Sequence, residues 1–186
     1  MAGAGEGAGA GARARAEAMY AEACGGFGGL PETGPAELWG LMGAGGGGLA
    51  VVDVRSPEEQ AVSMLPGECT MTEAEFRERE AELGGARVVT YCTVGLRAGK
   101  LAQRLRGEGW DASNLEGSIL GWTHADLPLE RRLPGGGREP TREVHVFGEK
   151  WAQAAPGYSQ TWFRRPVANL VLGGLKRAVW PFGRRP

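Results

Sequence analysis

Two short apolar runs, LAVVDV (Leu49 to Val54) and RVVTY (Arg87 to Tyr91), constrain this chain more than any other feature. Both are rich in β-branched residues and read as strands buried on both faces, the pattern of a parallel sheet. Parallel strands need a crossover, and helices usually supply it. Helix signals follow each run. In SPEEQAV (Ser56 to Val62) a serine N-cap precedes a proline at the first helical position. LRAGKLAQRLRGEG places Leu96, Leu101 and Leu105 on or near one face, and Gly107 or Gly109 stops it. Strand alternating with helix predicts an α/β domain with a largely parallel sheet.

Other elements fit between these. PAELWGLM reads as a helix, with the turn LPETG (Leu30 to Gly34) before it. LPG (Leu65 to Gly67) is a turn. TEAEFREREAEL (Thr72 to Leu83) reads as a helix, capped by Thr72 with Glu75 completing a capping box. WDASNL (Trp110 to Leu115) is a weaker strand, and a short helix is expected around Trp122. Pro134 to Pro140 reads as a linker, and VHVFG (Val144 to Gly148) as an added edge strand or extended segment.

Composition narrows the classes. A net charge of −1 over 186 residues sets up no global field toward nucleic acid, and none is expected as a partner. The charge is uneven: Thr161 to Pro186 holds six basic residues and no acidic one. Glycine is abundant, 33 of 186 residues, and is densest at residues 1–11, 43–48 and 135–137, which read as flexible segments. Three cysteines, Cys24, Cys69 and Cys92, form no CxxC pair or Cys/His cluster. That count suits neither a disulfide framework nor a zinc site, so no metal is expected and a reducing, intracellular compartment fits, cytoplasm or the inside of an organelle. LPETG matches a sortase sorting signal, but such signals work near a C-terminus, and here a turn is the better reading.

Cys92 stands where VVTY gives way to a helix. In open α/β sheets, ligand sites lie beyond the carboxyl ends of the strands. The loop after Cys92 feeds a helix N-terminus, whose unpaired N–H groups and dipole favour an anion, a thiolate included. Gly95 lets the loop turn tightly, and Arg97 brings a fixed positive charge to an anionic substrate. Thr93, Val94, Gly95, Leu96 and Arg97 are therefore the candidate substrate-binding loop around Cys92.

Four stretches, in order over about 90 residues, resemble the rhodanese-like domain. DVRSPEEQ (Asp53 to Gln60) resembles that family's D-x-R-x-x-x-E stretch. MLPGE (Met64 to Glu68) resembles its I-P-G-A turn, with Glu68 where alanine is usual. YCTVGLRAGKLAQRLRGEGW resembles its active-site strand, C-x-x-G-x-R loop and helix. NLEGSILGW resembles its closing segment, with Ser118 where a second glycine is common. The resemblance implies a mainly parallel five-stranded sheet flanked by helices on both faces. It also implies a sulfurtransferase in which Cys92 carries sulfane sulfur as a persulfide, from a small donor such as thiosulfate to a thiol or protein acceptor, without a cofactor. Asp53 and Arg55 are expected to support the loop, Arg55 by pairing with Glu58 or Glu59. The C-x4-R loop is one residue shorter than the C-x5-R loop of related phosphatases and arsenate reductases, which resembles the sulfur-handling branch. The alternative is a catalytically silent rhodanese module acting as a protein-interaction or membrane-surface binding domain.

The expected organisation is a flexible Ala/Gly-rich extension at 1–25, the domain at 26–132, a linker and aromatic extension at 133–163, and a basic amphipathic tail at 164–186. The aromatic extension is expected to pack back on the core. In the tail, Val167, Leu170, Val171, Leu175 and Val179 recur at helical spacing between basic residues. That pattern fits a peripheral contact with an anionic membrane surface, a partner's groove, or docking on the chain itself. Cys69 is a candidate resolving thiol, and Cys24 reads as incidental.

Overall fold

The computed structural model describes residues 3–44 and 48–163. Its centre is a five-stranded parallel sheet built from β1 (Glu32–Thr33), β2 (Leu49–Asp53), β3 (Thr70–Thr72), β4 (Arg87–Tyr91) and β5 (Asp111–Leu115), in the order β1-β5-β4-β2-β3. Both valine-rich runs are central strands, as their patterning requires: every residue of β2 is buried. The helices are α1 (Gly3–Cys24), α2 (Pro35–Gly43), α3 (Pro57–Val62), α4 (Glu73–Glu78), α5 (Leu96–Gly107) and α6 (Ser118–His124).

The period-2 alternation of side chains across the sheet builds a core on each face. On one face Val51, Val89, Tyr91 and Leu115 meet Leu38 of α2 and Ile119, Leu120 and Trp122 of α6. On the other, Ala50, Val52, Val88 and Ala112 meet Phe76 of α4 and Leu101, Ala102 and Leu105 of α5. The structure thus has helices on both faces of a parallel sheet.

Several expectations are corrected. Residues 3–24 are not a loose extension: they form α1, which packs on α5 and α6. Alanine is the strongest helix former. Ala16 and Tyr20 are buried and Cys24 half-buried, and their four-residue spacing puts them on one helical face. Helix α4 stops at Glu78 rather than Leu83. Phe76 is its one buried residue, and Glu78, Glu80 and Glu82 extend no apolar stripe past it. Strands β1 and β3 have two and three residues, too few to show a period in sequence.

The expected linker at 134–140 is instead part of a hairpin. Strands β6 (Leu129–Arg132) and β7 (Arg138–Thr141) pair antiparallel, so the domain does not end at residue 132. The aromatic segment beyond packs back on the core: Val144, Val146 and Tyr158 join the cluster around Trp122. Its strand β8 (Glu143–His145) pairs with β9 (Ser159–Thr161) in a separate parallel ribbon, not with the main sheet. The basic tail from residue 164 onward lies outside the described residues. Among those described, no helix is long and apolar enough to cross a membrane.

Candidate functional site

Cys92 follows the last residue of β4, and its loop runs directly into α5. Its sulfur accepts a hydrogen bond from the Gly95 N–H at 3.1 Å. That bond curls the loop around the thiol. It needs Gly95 at φ 95°, a left-handed backbone that glycine adopts without Cβ strain. Helix α6 braces the loop from the side. Ser118 Oγ accepts the Cys92 N–H at 3.1 Å, and the N–H groups of Ile119 and Leu120 donate to the Cys92 and Thr93 carbonyls at 3.1 and 3.4 Å. Ser118 itself sits at φ 51°, which accounts for the preference for glycine there and costs a non-glycine residue about 1 kcal/mol.

The loop residues named from sequence come together, with different exposures. Cys92 is 2 % exposed, and Thr93 and Val94 are buried. Leu96 is 37 % exposed and points out of the core, although its spacing from Leu101 and Leu105 placed it on their face. Ala98 and Gly99 take that buried place instead.

Arg97 is engaged by a carboxylate. Its Nη1 donates to Glu59 Oε2 at 2.7 Å and its Nη2 to Glu59 Oε1 at 2.8 Å, a two-point fork. Nη2 also reaches Thr93 Oγ1 at 3.4 Å. Glu59 is set by the capping box of α3, where its Oε2 accepts the Ser56 N–H at 2.8 Å. Burial alone would raise the Glu59 carboxyl, but the two-point hydrogen bonding and charge of Arg97 outweigh it and hold the group well below the usual carboxylate range. His145 Nδ1 lies 3.4 Å from Glu59 Oε1, and the His145 ring stacks on Phe163 with centroids 4.5 Å apart.

Asp53 and Arg55 pair with each other, not with Glu58 or Glu59. Arg55 Nε and Nη2 donate to Asp53 at 2.9 and 2.6 Å, and Nη2 also donates to the Ser63 carbonyl. Both side chains are fully buried. Asp53 ends β2 beside Tyr91, and the Tyr91 hydroxyl accepts the Leu65 N–H at 3.1 Å. This pair fixes the floor beside the cysteine loop.

Sequence reasoning passed over the neighbours that α1 brings. A Cβ on Gly95 would stand 2.5 Å from the Tyr20 ring and 2.7 Å from Cys24 Sγ. Asn114, at the end of β5, donates to the Gly95 carbonyl at 3.3 Å and to Cys24 Sγ at 3.5 Å. The Tyr20 hydroxyl donates to Glu32 at 2.6 Å. Cys24 is therefore not incidental. The available signal was the four-residue spacing of Ala16, Tyr20 and Cys24. Cys69 precedes β3, whose Thr70 aligns with Val51, so it sits toward the amino end of the sheet, while Cys92 lies past the carboxyl end. That separation removes it as a resolving thiol.

Similarity to known proteins agrees with this geometry. The family model for the rhodanese-like domain matches residues 34–125. A tRNA uridine(34) hydroxylase of Xanthomonas campestris is 35% identical over 104 residues, covering 50% of this chain and 41% of that protein. An HTH-type transcriptional regulator of Mycobacterium tuberculosis is 33% identical over 93 residues, 48% of this chain and 41% of that protein. The chain thus spans about two fifths of the length of these curated relatives. Among solved structures, a thiosulfate sulfurtransferase from Pseudomonas aeruginosa aligns with a TM-score of 0.49 at 23% identity, over 63% of this chain and 23% of that one. A rhodanese-related protein from Thermoplasma volcanium aligns with a TM-score of 0.44 at 23% identity, over 53% of this chain and 96% of that one. The cysteine loop, the Asp53–Arg55 floor and the closing helix all lie inside the matched span, and residues 34–125 are a rhodanese-like domain.

Proposed function

We propose that the protein is a sulfurtransferase that carries sulfane sulfur on Cys92. The observation that carries this reading is the thiol's placement at the mouth of α5, with its sulfur accepting the Gly95 N–H. A helix N-terminus and an inward N–H stabilise negative charge on sulfur. The Cys92 thiolate attacks the outer sulfur of a donor such as thiosulfate. A new S–S bond forms to Cys92, the donor's S–S bond breaks, and sulfite leaves with its electron pair. An acceptor thiolate then attacks the outer sulfur of the persulfide and releases Cys92. This two-step covalent route needs no cofactor, because the loop itself supplies the stabilisation of charge.

The relative named for tRNA hydroxylation aligns with about half of this chain, at 35% identity over 104 residues. The test is mass spectrometry of the intact chain after incubation with thiosulfate, followed by peptide mapping. A gain of one sulfur on the Cys92 peptide, lost in Cys92→Ser, is expected. An unmodified Cys92 after exposure to thiosulfate and to a small persulfide would overturn the reading.

A further inference from the structure

Cys92 is nearly sealed, yet an acceptor must reach its sulfur. The last turn of α1 lies over the loop, with Tyr20 and Cys24 closing on Gly95. Cys24 is half-exposed where Cys92 is buried. Beside Cys24 opens a groove of about 640 Å³ between α1, α2 and α6, whose walls include Cys24, Tyr20, Glu32, Glu116 and His124 but not Cys92. Pockets of this size commonly hold small molecules.

We propose that Cys24 is a second sulfur carrier, which takes the sulfane sulfur from Cys92 and presents it to a small thiol in this groove. The proposal rests on the sulfurtransferase reading of Cys92. One residue links the two sulfurs: Gly95 donates its N–H to Cys92 Sγ at 3.1 Å, and a Cβ on the same residue would touch Cys24 Sγ at 2.7 Å. The bond lengths of that residue put the sulfurs no more than about 9 Å apart. A persulfide brings the cargo nearer by one S–S bond of about 2 Å. Cys24 is the last residue of α1, the position from which a helix end most readily shifts the remaining distance. Only glycine at 95 leaves room for this approach.

The transfer is redox-neutral. The Cys24 thiolate attacks the outer sulfur of the Cys92 persulfide. The new bond joins Cys24 Sγ to that sulfur, the bond to Cys92 Sγ breaks, and its electron pair stays on Cys92. The proton given up by Cys24 ends on Cys92. Asn114 Nδ2, 3.5 Å from Cys24 Sγ, is the donor that steadies the attacking thiolate. Burial, and then the charge of Cys92, push the Cys24 thiol up to about 11. Tyr20 and Glu32 face it from α1 and β1, with His124 and Glu116 on the opposite groove wall. The hand-off is therefore slow near neutrality. In the groove, the charge of Glu17 is met by Arg13, whereas Glu32 accepts only the neutral Tyr20 hydroxyl and Glu116 adds a second carboxylate, so the acceptor class is a neutral or cationic thiol.

The test loads the full chain with thiosulfate, alkylates it at intervals, and maps the added sulfur by peptide mass spectrometry. The wild type should show sulfur first on Cys92 and then on Cys24. Cys24→Ala should still load Cys92 but pass sulfur to cysteamine at least tenfold more slowly. Cys92→Ser should load neither position. Sulfur that stays on Cys92 alone, with full cysteamine turnover in Cys24→Ala, overturns the relay and leaves the sulfurtransferase reading standing. Loading of Cys24 in Cys92→Ser overturns the relay by making Cys24 an independent site. Absence of sulfur from both cysteines in the wild type ends both readings.

Discussion

Glu59 holds Arg97 by both of its Nη atoms, at 2.7 and 2.8 Å, across 38 residues of sequence. The carboxylate is almost fully buried and Arg97 about one-fifth exposed, so the pair is partly shielded from water and only partly screened. It ties α3 to the start of α5 and so braces the cysteine loop from the β2 side.

Replacing Glu59 with glutamine should therefore destabilise the fold by about 3 kcal/mol, because Arg97 is left without its counter-charge. The effect should depend on pH in one direction. The folded-state pKa of Glu59 lies below its unfolded value of about 4.3. Its stabilisation is then fully present above that value and is lost as pH falls through it toward the folded pKa. Melting curves of wild type and Glu59→Gln should differ by a constant margin near neutrality and converge in acid. A margin unchanged down to pH 3 would show that the pair contributes no charge-dependent stability.

Arg97 has two possible routes to activity, through the loop or through the donor's charge. Its fork is filled by Glu59, so we expect the loop to dominate. Arg97→Ala should slow sulfur transfer roughly tenfold, a loss of about 1.4 kcal/mol, and by similar factors with thiosulfate and with an uncharged organic persulfide donor. A loss confined to thiosulfate would place the guanidinium on the anion instead. Parallel kcat/KM measurements with the two donors separate these outcomes.

What the sequence disclosed follows from how far apart the determining residues lie. Strands β2 and β4 were legible because each carries its buried valines within five residues. The Ser56 cap of α3 and the Thr72–Glu75 box of α4 were legible because a cap closes over three residues. The cysteine loop was legible as a strand end, a glycine and an arginine in six residues. Partner choice among charges was not: Arg97 could have met a ligand or any of several glutamates, and only the fold, which brings Glu59 of α3 to the start of α5, selects the pairing. The role of α1 was hidden for a different reason. Glycine and alanine dominate its sequence, and flexible and helical readings of such a segment differ only once Tyr20 and Cys24 find Gly95 to pack on.

Ser118 combines a backbone cost with a hydrogen bond. Its φ of 51° disfavours a side chain by about 1 kcal/mol, and its Oγ accepts the Cys92 N–H. Ser118→Gly relieves the first and removes the second, so its melting temperature should stay within a few degrees of wild type. Sulfur loading of Cys92 should still slow severalfold, because the loop loses a fixed acceptor beside the cysteine. A slower reaction at unchanged stability is the expected signature, and unchanged rates would show that the α6 N–H groups suffice to hold the loop.

Gly95 joins the loop, α1 and α5 at one Cα, so substitution there tests the packing of the N-terminal helix most directly. Alanine meets two separate obstacles. Its φ of 95° costs a residue with a Cβ about 1 to 2 kcal/mol wherever it occurs. The added methyl also falls 2.5 Å from the Tyr20 ring and 2.7 Å from Cys24 Sγ, distances at which α1 must retreat. Gly95→Ala in the full chain should lose both amounts, about 3 kcal/mol or more. It should also expose the last turn of α1, read as faster alkylation of Cys24. Paired with Tyr20→Ala and Cys24→Ala, which clear the space, the same substitution should cost only the backbone amount. The four melting curves form a cycle whose coupling measures the contact. Full additivity, with Cys24 alkylated at the wild-type rate, would show that α1 does not bear on Gly95 in solution.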